Sequence, residues 1–169
     1  CSGVTKVDFA EDAQLTSIGT SAFGSCYRLT EITIPNSVTT LATNPFASCS
    51  GLTKIEFEAN SKITVLPANT FSSLSALTTV VLPDSLTTIQ ANAFYYCNNL
   101  TSVDIPASVS TIEGGAIVSC NKMAAINVAE DNEYYTSVDG TLFNHDKTVL
   151  IYCPAGRTDT TFTVPATVT

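Results

Sequence analysis

The amino-acid sequence predicts a solenoid, in which short coils of chain stack along one axis and bury apolar side chains against one another. One observation is a column of phenylalanines at positions 23, 46, 71 and 94, spaced by 23, 25 and 23 residues, with Ile117 in the same place 23 residues later. The other is that a Leu follows each Phe after six residues. After this Leu, apolar and other residues alternate, and the alternation usually ends at a Pro. A repeat of this length is one structural unit that becomes stable only by stacking on its neighbours.

The repeats divide the whole chain. They cover about residues 1–21, 22–44, 45–69, 70–92, 93–115 and 116–160, with a partial repeat at 161–169. We expect one domain over residues 1–169, cut from a longer protein because the chain starts and stops within the pattern. Glu11–Gln14 and the stretch between Phe57 and Ile63 each carry two extra residues. Such insertions are expected to lengthen a turn without disturbing the stack.

Within the repeat 22–44, Thr30–Ile34 is predicted to be a short parallel strand. Leu29, Ile32 and Ile34 would face the core, while the residues between them face solvent, because side chains alternate along a strand. Pro35 would end the strand, since proline cannot donate to the ladder. Val38 and Leu41 are predicted as a second inward pair, with no more than one helical turn per coil. Val4–Phe9 and Phe162–Val164 are predicted as the first and last strands.

The pattern is interrupted after Val128. Two β-rich runs, Gly140–Asn144 and Thr148–Cys153, are separated by His145, Asp146 and Lys147. Turn-forming residues between two such runs predict a β-hairpin. The sequence therefore predicts a hairpin insert at residues 134–153, which would fold over part of the C-terminal end.

Composition excludes several classes of partner. The formal net charge is −8 and the pI about 4.3, so the surface would repel nucleic acid and anionic lipid headgroups. The sequence contains no apolar run long enough for a membrane-spanning helix, which predicts no direct membrane insertion. The apolar content of 44% with 13% charged residues indicates a folded domain.

The repeats resemble a known family. Ala22–Leu41 and Ala93–Ile112 are similar to the BspA-type leucine-rich repeat, and so are Tyr135–Asn144 and the later Leu150–Gly156. The resemblance implies an α/β leucine-rich-repeat solenoid, right-handed and horseshoe-like, with short parallel strands and little helix. It also implies a surface or secreted protein of a host-associated bacterium or parasitic protist that adheres to host proteins or cells. It implies no catalytic residue, no cofactor and no fixed binding motif.

The cysteines mostly share one column. Cys1, Cys26, Cys49, Cys97 and Cys120 occupy equivalent places, and Leu74 takes the remaining one. A position that accepts Leu is apolar, and free Cys behaves as a small buried hydrophobe. Disulfides between neighbouring coils remain the alternative, because stacked strands lie about 5 Å apart. We expect Cys26, Cys49 and Cys97 to be buried thiols.

Catalytic and metal sites are not predicted. His145 is the only histidine and lies at the predicted hairpin tip, where it reads as a polar turn residue. Residues 131–133 and Asp139–Gly140 offer oxygen ligands without the spacing of a calcium loop, so we interpret them as solvated turns. Asn99 begins the Asn-Leu-Thr sequence, a glycosylation motif predicted to be exposed.

The remaining candidate site is the outward face of the strands. The concave sheet of a solenoid is its usual recognition surface. The candidate binding residues on this face are Lys6, Asp8, Glu31, Thr33, Lys54, Glu56, Thr79, Val81, Ser102 and Asp104. A column of threonines beside them can also be explained by β-propensity and hydrogen bonding along the ladder. Lys6, Glu31 and Lys54 alternate in sign, which predicts charge pairing between coils.

Three functions stay open from the sequence. The favoured one is a binding module whose partners are host extracellular matrix or cell-surface proteins. The alternatives are a self-associating spacer of a larger surface protein and an intracellular scaffold, which unpaired thiols would suit. End-to-end association of the chain is also expected, because Val4, Val7 and Phe9 would face water at an open solenoid end.

Overall fold

The computed structural model describes residues 1–10 and 12–169 and forms the predicted solenoid, with short parallel strands. Glu11, in the predicted insertion Glu11–Gln14, lies outside the described residues. No helix occurs in the described ranges, and hydrogen-bonded turns connect the strands, within the expected limit of one helical turn per coil. The thirteen strands are β1 (Ser17–Ile18), β2 (Glu31–Ile34), β3 (Thr40–Leu41), β4 (Lys54–Phe57), β5 (Val65–Leu66), β6 (Thr79–Val80), β7 (Thr88–Ile89), β8 (Ser102–Ile105), β9 (Thr111–Ile112), β10 (Ala125–Val128), β11 (Tyr135–Val138), β12 (Thr141–Asn144) and β13 (Leu150–Tyr152).

Two rows of parallel strands run along the solenoid. The first row contains β2, β4 and β6 in one sheet and β8 with β10 in another. The second row contains β1 with β3, and then β5, β7 and β9. In β2 the burial pattern alternates between exposed and buried, as the predicted strand Thr30–Ile34 requires. Val38 and Leu41 are both buried and form the predicted second inward pair.

The phenylalanine column forms the centre of the core. Successive rings from Phe23 to Phe46, Phe71 and Phe94 have centroid separations of 5.7, 6.4 and 5.3 Å. These are within the range in which aromatic rings stabilise one another beyond simple burial. The last three of these rings are fully buried. The 23-residue period therefore corresponds to one stacked ring per coil.

The residue two positions before each member of the phenylalanine column, including Ile117, has left-handed backbone conformation. Ser21, Asn44, Asn69, Asn92 and Gly115 have φ between 51° and 74°. Asn and Gly adopt this conformation most readily, so three asparagines and a glycine at the repeat period were a sequence signal for the turn. The turn allows backbone hydrogen bonds between coils, such as Phe71 N–H to Ala93 O at 2.8 Å.

The inserted residues before Ile63 coincide with an interruption of the backbone ladder in the second strand row. β3 and β5 do not share a sheet, although β5, β7 and β9 do. The apolar stack nevertheless continues, because Ile63 and Leu66 are fully buried and the Phe46 and Phe71 rings remain in contact. The expectation that the insertion leaves the stack undisturbed is therefore correct for the core and wrong for the hydrogen bonds of the second row.

The C-terminal end is covered by a three-stranded antiparallel sheet. Strands β12 and β13 form the predicted hairpin, and β11 pairs with β12 on its other side. The missed strand β11 is joined to β12 by Asp139 and Gly140, with φ of 47° and 73°. An Asp-Gly pair is a strong hairpin signal because both residues tolerate positive φ. A Cβ at Gly140 would lie 2.8 Å from Ala125 Cβ, so the turn packs directly on β10.

This sheet binds the last edges of the solenoid. Ile126 N–H donates to Gly140 O at 2.8 Å, and Val128 N–H donates to Ser137 Oγ at 3.3 Å. In the second row, Ile112 N–H donates to Tyr135 Oη at 2.8 Å. The insert therefore acts as a cap, because it satisfies backbone donors that a further coil would otherwise bind.

The predicted first and last strands do not form. Val4–Phe9 has no strand conformation, and no backbone hydrogen bond joins it to β2 among the described residues. Phe162–Val164 is also irregular, because the cap already occupies the edge of β10. Phe162 instead packs on Phe143, with ring centroids 6.4 Å apart.

The three cysteines expected to be buried, Cys26, Cys49 and Cys97, are buried. Cys26, Cys49, Cys97 and Cys120 are buried thiols, whereas Cys1 and Cys153 are exposed. The Cys49, Cys97 and Cys120 thiols each donate to the carbonyl of the Phe in the preceding coil, at 2.9–3.1 Å. Burial raises the pKa of Cys49. The neighbouring Cys120 thiol, together with burial, raises the pKa of Cys97.

Candidate functional site

All ten candidate binding positions lie on the solvent side of the first strand row, called the strand face below. Most are exposed, and only Lys54 and Glu56 are half-buried. The structure places the positions of β2, β4, β6 and β8 on consecutive coils, whereas Lys6 and Asp8 lie on the irregular first coil. The sequence therefore identified the correct side of each strand.

Charge pairing on the strand face runs along single coils. Lys6 Nζ lies 2.6 Å from Asp8 and Lys54 Nζ lies 2.9 Å from Glu56. Residues two apart on an extended chain share one side, so these pairs form within a coil. The predicted pairing between coils forms no salt bridge among Lys6, Glu31 and Lys54 in the described residues, although, after the larger effect of Asp8, the charge of Glu31 helps to raise the pKa of Lys6. The hydrogen bond to Asp8 raises the pKa of Lys6.

The strand face carries an excess of negative charge. Glu31 and Asp104 on this face are exposed, as are Glu58 and Asp84 in the segments that follow β4 and β6, and no salt bridge within residues 1–10 and 12–169 includes any of them. Exposed like charges with no counter-charge create a negative potential that attracts cations and basic partners. The face is therefore suited to a basic surface.

The threonine column beside the face has a structural role in two coils. Thr53 Oγ1 donates to Thr30 O at 2.9 Å, and Thr78 Oγ1 donates to Thr53 O at 3.1 Å. These bonds reinforce the backbone ladder, as the structural explanation of the column predicts. Thr101 makes no corresponding bond to Thr78 in the described structure.

The backbone ladder of the first row is broken at the same place. Thr53, Thr78 and Ala124 each donate a backbone N–H to the carbonyl of the threonine in the preceding coil, at 2.8–2.9 Å. Among the described residues no such bond joins Thr101 to Thr78, and β6 and β8 lie in different sheets. In the second row the same two coils are joined by a backbone ladder, because β7 pairs with β9. β7 also pairs with β5 of the coil before. The two coils are therefore separated on the strand face only.

Two cavities flank the segment that follows β6. A cavity of about 340 Å³ lies between this segment and the next coil, and Val80, Leu82, Ile105, Pro106 and Val128 are among its lining residues. On the other side, a cavity of about 430 Å³ lies against the turn that contains the inserted residues. Val81, 51% exposed, contributes to both. An apolar cavity of this size, with a few polar groups, is at the small end of ligand sites.

Other polar residues singled out by the sequence are used structurally. Asn132 is buried; its amide donates to Pro106 O and Val109 O, and its carbonyl oxygen accepts from Tyr134 N–H and Tyr135 N–H, all at 2.8–2.9 Å. The interpretation of this residue as part of a solvated turn is therefore wrong. Local sequence cannot reveal this, because two of the partners lie 23 and 26 residues away.

The glycosylation motif is also less accessible than predicted. Asn99 is half-buried; its Nδ2 donates to Ser75 O at 2.9 Å, and its Oδ1 accepts from Lys122 Nζ at 2.7 Å. The nitrogen that would carry a glycan thus holds two coils together. His145 is exposed at the hairpin tip, with Nδ1 3.4 Å from the carboxylate of exposed Asp146. This is the predicted location for a turn residue.

Arg157 fixes the irregular C-terminal segment. Its guanidinium donates to Asp139 O at 2.5 Å and to Thr141 Oγ1 at 2.6 Å, and pairs with Asp159. It also lies 4.6 Å from the centre of the Phe162 ring, within cation–π range. The hydrogen bond from Arg157 lowers the pKa of Asp159. All these contacts are internal, so we assign this cluster to folding.

The fold and the strand face together define a leucine-rich-repeat scaffold of the kind that presents a strand surface to other proteins. The family model described as the BspA type leucine rich repeat region matches residues 1–145 with six copies. The chain belongs to this family. No helix in the described part of the chain is long and apolar enough to cross a membrane.

Several solved structures are similar. A leucine-rich repeat protein from Eubacterium ventriosum is 31% identical with a TM-score of 0.77, over 90% of this chain and 40% of that one. The pneumococcal vaccine antigen PcpA is 28% identical with a TM-score of 0.57, over 95% of this chain and 34% of that one. A T. pallidum leucine rich repeat protein is 27% identical with a TM-score of 0.63, over 69% and 54%. This chain thus spans 34–54% of the length of these structures. Comparison with curated proteins found no match.

Proposed function

We propose that the domain is a non-enzymatic protein-binding module of a surface or secreted protein, and that it adheres to host proteins or other cells through the strand face. The observation that carries this proposal is the row of exposed side chains on consecutive coils, in which the carboxylates of Glu31 and Asp104 have no salt-bridge partner within the described chain. Glu58 and Asp84, next to this row, also have none. The family supports a protein-interaction role. The description of PcpA as a vaccine antigen fits a protein exposed outside the cell.

Binding by the isolated domain tests this function. Immobilised extracellular matrix proteins such as fibronectin and collagen would be titrated with the domain and with the double variant Glu31→Arg/Asp104→Arg. The control Glu133→Arg/Asp146→Arg makes the same charge change at exposed positions off the strand face. We expect the face variant alone to lose binding, by about tenfold or more, because it reverses the local charge. Equal loss in both variants, or no binding by the wild type, would contradict the proposal.

A structural spacer is the second candidate. The Thr53 and Thr78 hydroxyls favour this candidate, because they donate to backbone carbonyls of the preceding coil and are therefore not free to bind a partner. A spacer predicts that the charge variants change neither binding nor the behaviour of the longer protein. The binding titration therefore separates the two functions.

A further inference from the structure

The interruption between β6 and β8 coincides with a change in side-chain chemistry. The outward column of the strand face reads Asp8, Thr33, Glu56, Val81, Asp104 and Asn127 along the coils. Val81 is thus the one apolar member of this column, and it lies next to the gap in the ladder. Isolated exposed apolar side chains are ordinary on protein surfaces, but this one continues into an apolar cavity.

We define the Val81 groove by this cavity. Its floor is formed by Val80, Val81, Leu82, Ile105, Pro106 and Val128, and its rim by Asp84, Asp104 and Asn127. Val80 is 8% exposed, whereas the equivalent Ile55 is fully buried. Leu82 is 7% exposed, between the fully buried Ile34 and the half-buried Phe57 at the same position in other coils. The cavity therefore reaches the edge of the core at Val80 and Leu82.

The polar groups of the groove favour a basic, extended occupant. The edges of β6 and β8 that face each other present backbone groups without the hydrogen bonds that join the other coils. β6 and β8 remain too close for a further strand between them, so these groups are available only to polar atoms of an occupant at the mouth of the groove. At the rim, the Asp104 carboxylate accepts only one side-chain hydrogen bond among the described residues, from Asn127 Nδ2 at 2.7 Å, and Asp84 is exposed. No Lys or Arg lines the cavity within the described chain.

We propose that the Val81 groove binds an extended segment of a partner protein in which an apolar side chain is flanked by Lys or Arg. The apolar side chain contacts Val81 and the opened floor, while the basic side chains pair with Asp84 and Asp104. The proposal rests on the proposed protein-binding function and names the chemistry of its partner.

Synthetic peptides test this specificity. The probe is a fluorescent peptide of alternating Lys and Leu, compared with peptides in which Glu replaces each Lys or Ser replaces each Leu. We expect only the Lys–Leu peptide to bind, with amide chemical-shift changes confined to Val80–Asp84, Ser102–Pro106 and Asn127–Ala129. Binding should also slow hydrogen exchange at Thr101 and Ser102, which in the free protein should exchange faster than Thr53 and Thr78. Shifts centred elsewhere, or binding of the Lys–Ser peptide with equal affinity, would overturn the proposal.

Matched variants locate the site. Val81→Thr introduces threonine, which is the residue at the equivalent position 33. This variant should bind the peptide about tenfold more weakly because apolar contact is lost. Asp104→Asn should weaken it through the loss of one charge. Glu31→Gln makes the same charge change on the strand face outside the groove and should leave the affinity within about twofold. An equal effect of Glu31→Gln would show nonspecific charge attraction and refute the site.

The two proposals can fail separately. If Glu31→Arg/Asp104→Arg abolishes binding to matrix proteins while Val81→Thr changes neither protein nor peptide binding, the groove is wrong and the strand-face function stands. If the peptide binds in the groove but no matrix protein binds the domain, the groove stands and host adhesion is wrong. A melting temperature of Val81→Thr equal to that of the wild type confirms that any loss comes from the surface.

Discussion

At the scale of single residues, the hydrogen bonds of Asn132 join a coil of the solenoid to the start of β11. Its side chain makes four hydrogen bonds while buried, two to the coil that contains Pro106 and Val109 and two to the start of β11. The carboxamide thus has both lone pairs and both protons engaged. Among the described residues, no other side chain makes hydrogen bonds both to a coil of the solenoid and to the backbone at the start of β11.

Substitution of Asn132 should therefore be costly. Asn132→Ala leaves two carbonyls and two N–H groups without these partners, and we expect the free energy of unfolding to fall by about 2–4 kcal/mol. Asn121→Ala removes an exposed asparagine that makes no side-chain hydrogen bond in the described structure, and it serves as the control. Urea denaturation of both variants measures the difference. Similar stability of the two would contradict the structural role.

The buried thiols predict an alkaline loss of stability. The pKa of Cys97 is raised in the folded protein by the Cys120 thiol and by burial, so ionisation favours the unfolded chain. The stabilisation is present below the unfolded pKa of about 8.5 and decreases as pH rises above it. We expect the melting temperature to fall between about pH 8 and pH 10, and to fall less in Cys97→Val. An unchanged slope in the variant would exclude this thiol as a cause.

At the scale of elements, the antiparallel sheet caps the solenoid with specific contacts. The Tyr135 hydroxyl is the acceptor for Ile112 N–H at the edge of the second strand row. Position 135 lies on β11, the strand that the sequence interpretation missed although Asp139–Gly140 marks its turn. The cap is therefore built partly from side chains and not from a further coil.

Removal of this hydroxyl tests the cap. Tyr135→Phe keeps the ring and loses the acceptor, so we expect a loss of about 1 kcal/mol in stability and faster hydrogen exchange at the Ile112 amide. Tyr134→Phe is the matched control, because Tyr134 is 52% exposed and its hydroxyl makes no hydrogen bond in the described residues. Comparable exchange at Ile112 in both variants would show that the hydroxyl contributes nothing.

At the scale of the whole molecule, the two ends differ. The C-terminal edges are bound by the cap, whereas Val4, Val7 and Phe9 are half-buried in a first coil without strand conformation. Apolar groups and unpaired backbone at a solenoid end favour association with another chain. End-to-end association through the N-terminal coil therefore stays a prediction for this chain.

Sedimentation velocity measures this association. We expect the wild type to form dimers with rising concentration, and Phe9→Ser to shift the equilibrium towards monomer by removing an apolar ring. Val164→Ser changes an exposed apolar residue at the other end and should have no effect. If Val164→Ser weakens dimer formation and Phe9→Ser does not, the contact lies at the C-terminal end and the prediction is wrong.

The sequence by itself determined the solenoid, the core columns, the buried thiols and which side of each strand faces solvent. These follow from local periodicity, because the position of a side chain on a strand depends only on its neighbours in sequence. The tertiary structure alone decided the gap between β6 and β8, the role of Asn132 and the irregular ends. Each depends on how parts of the chain that are distant in sequence meet, which the apolar pattern does not encode. Hydrogen bonds between coils require alignment in space, which a repeating sequence permits but does not specify.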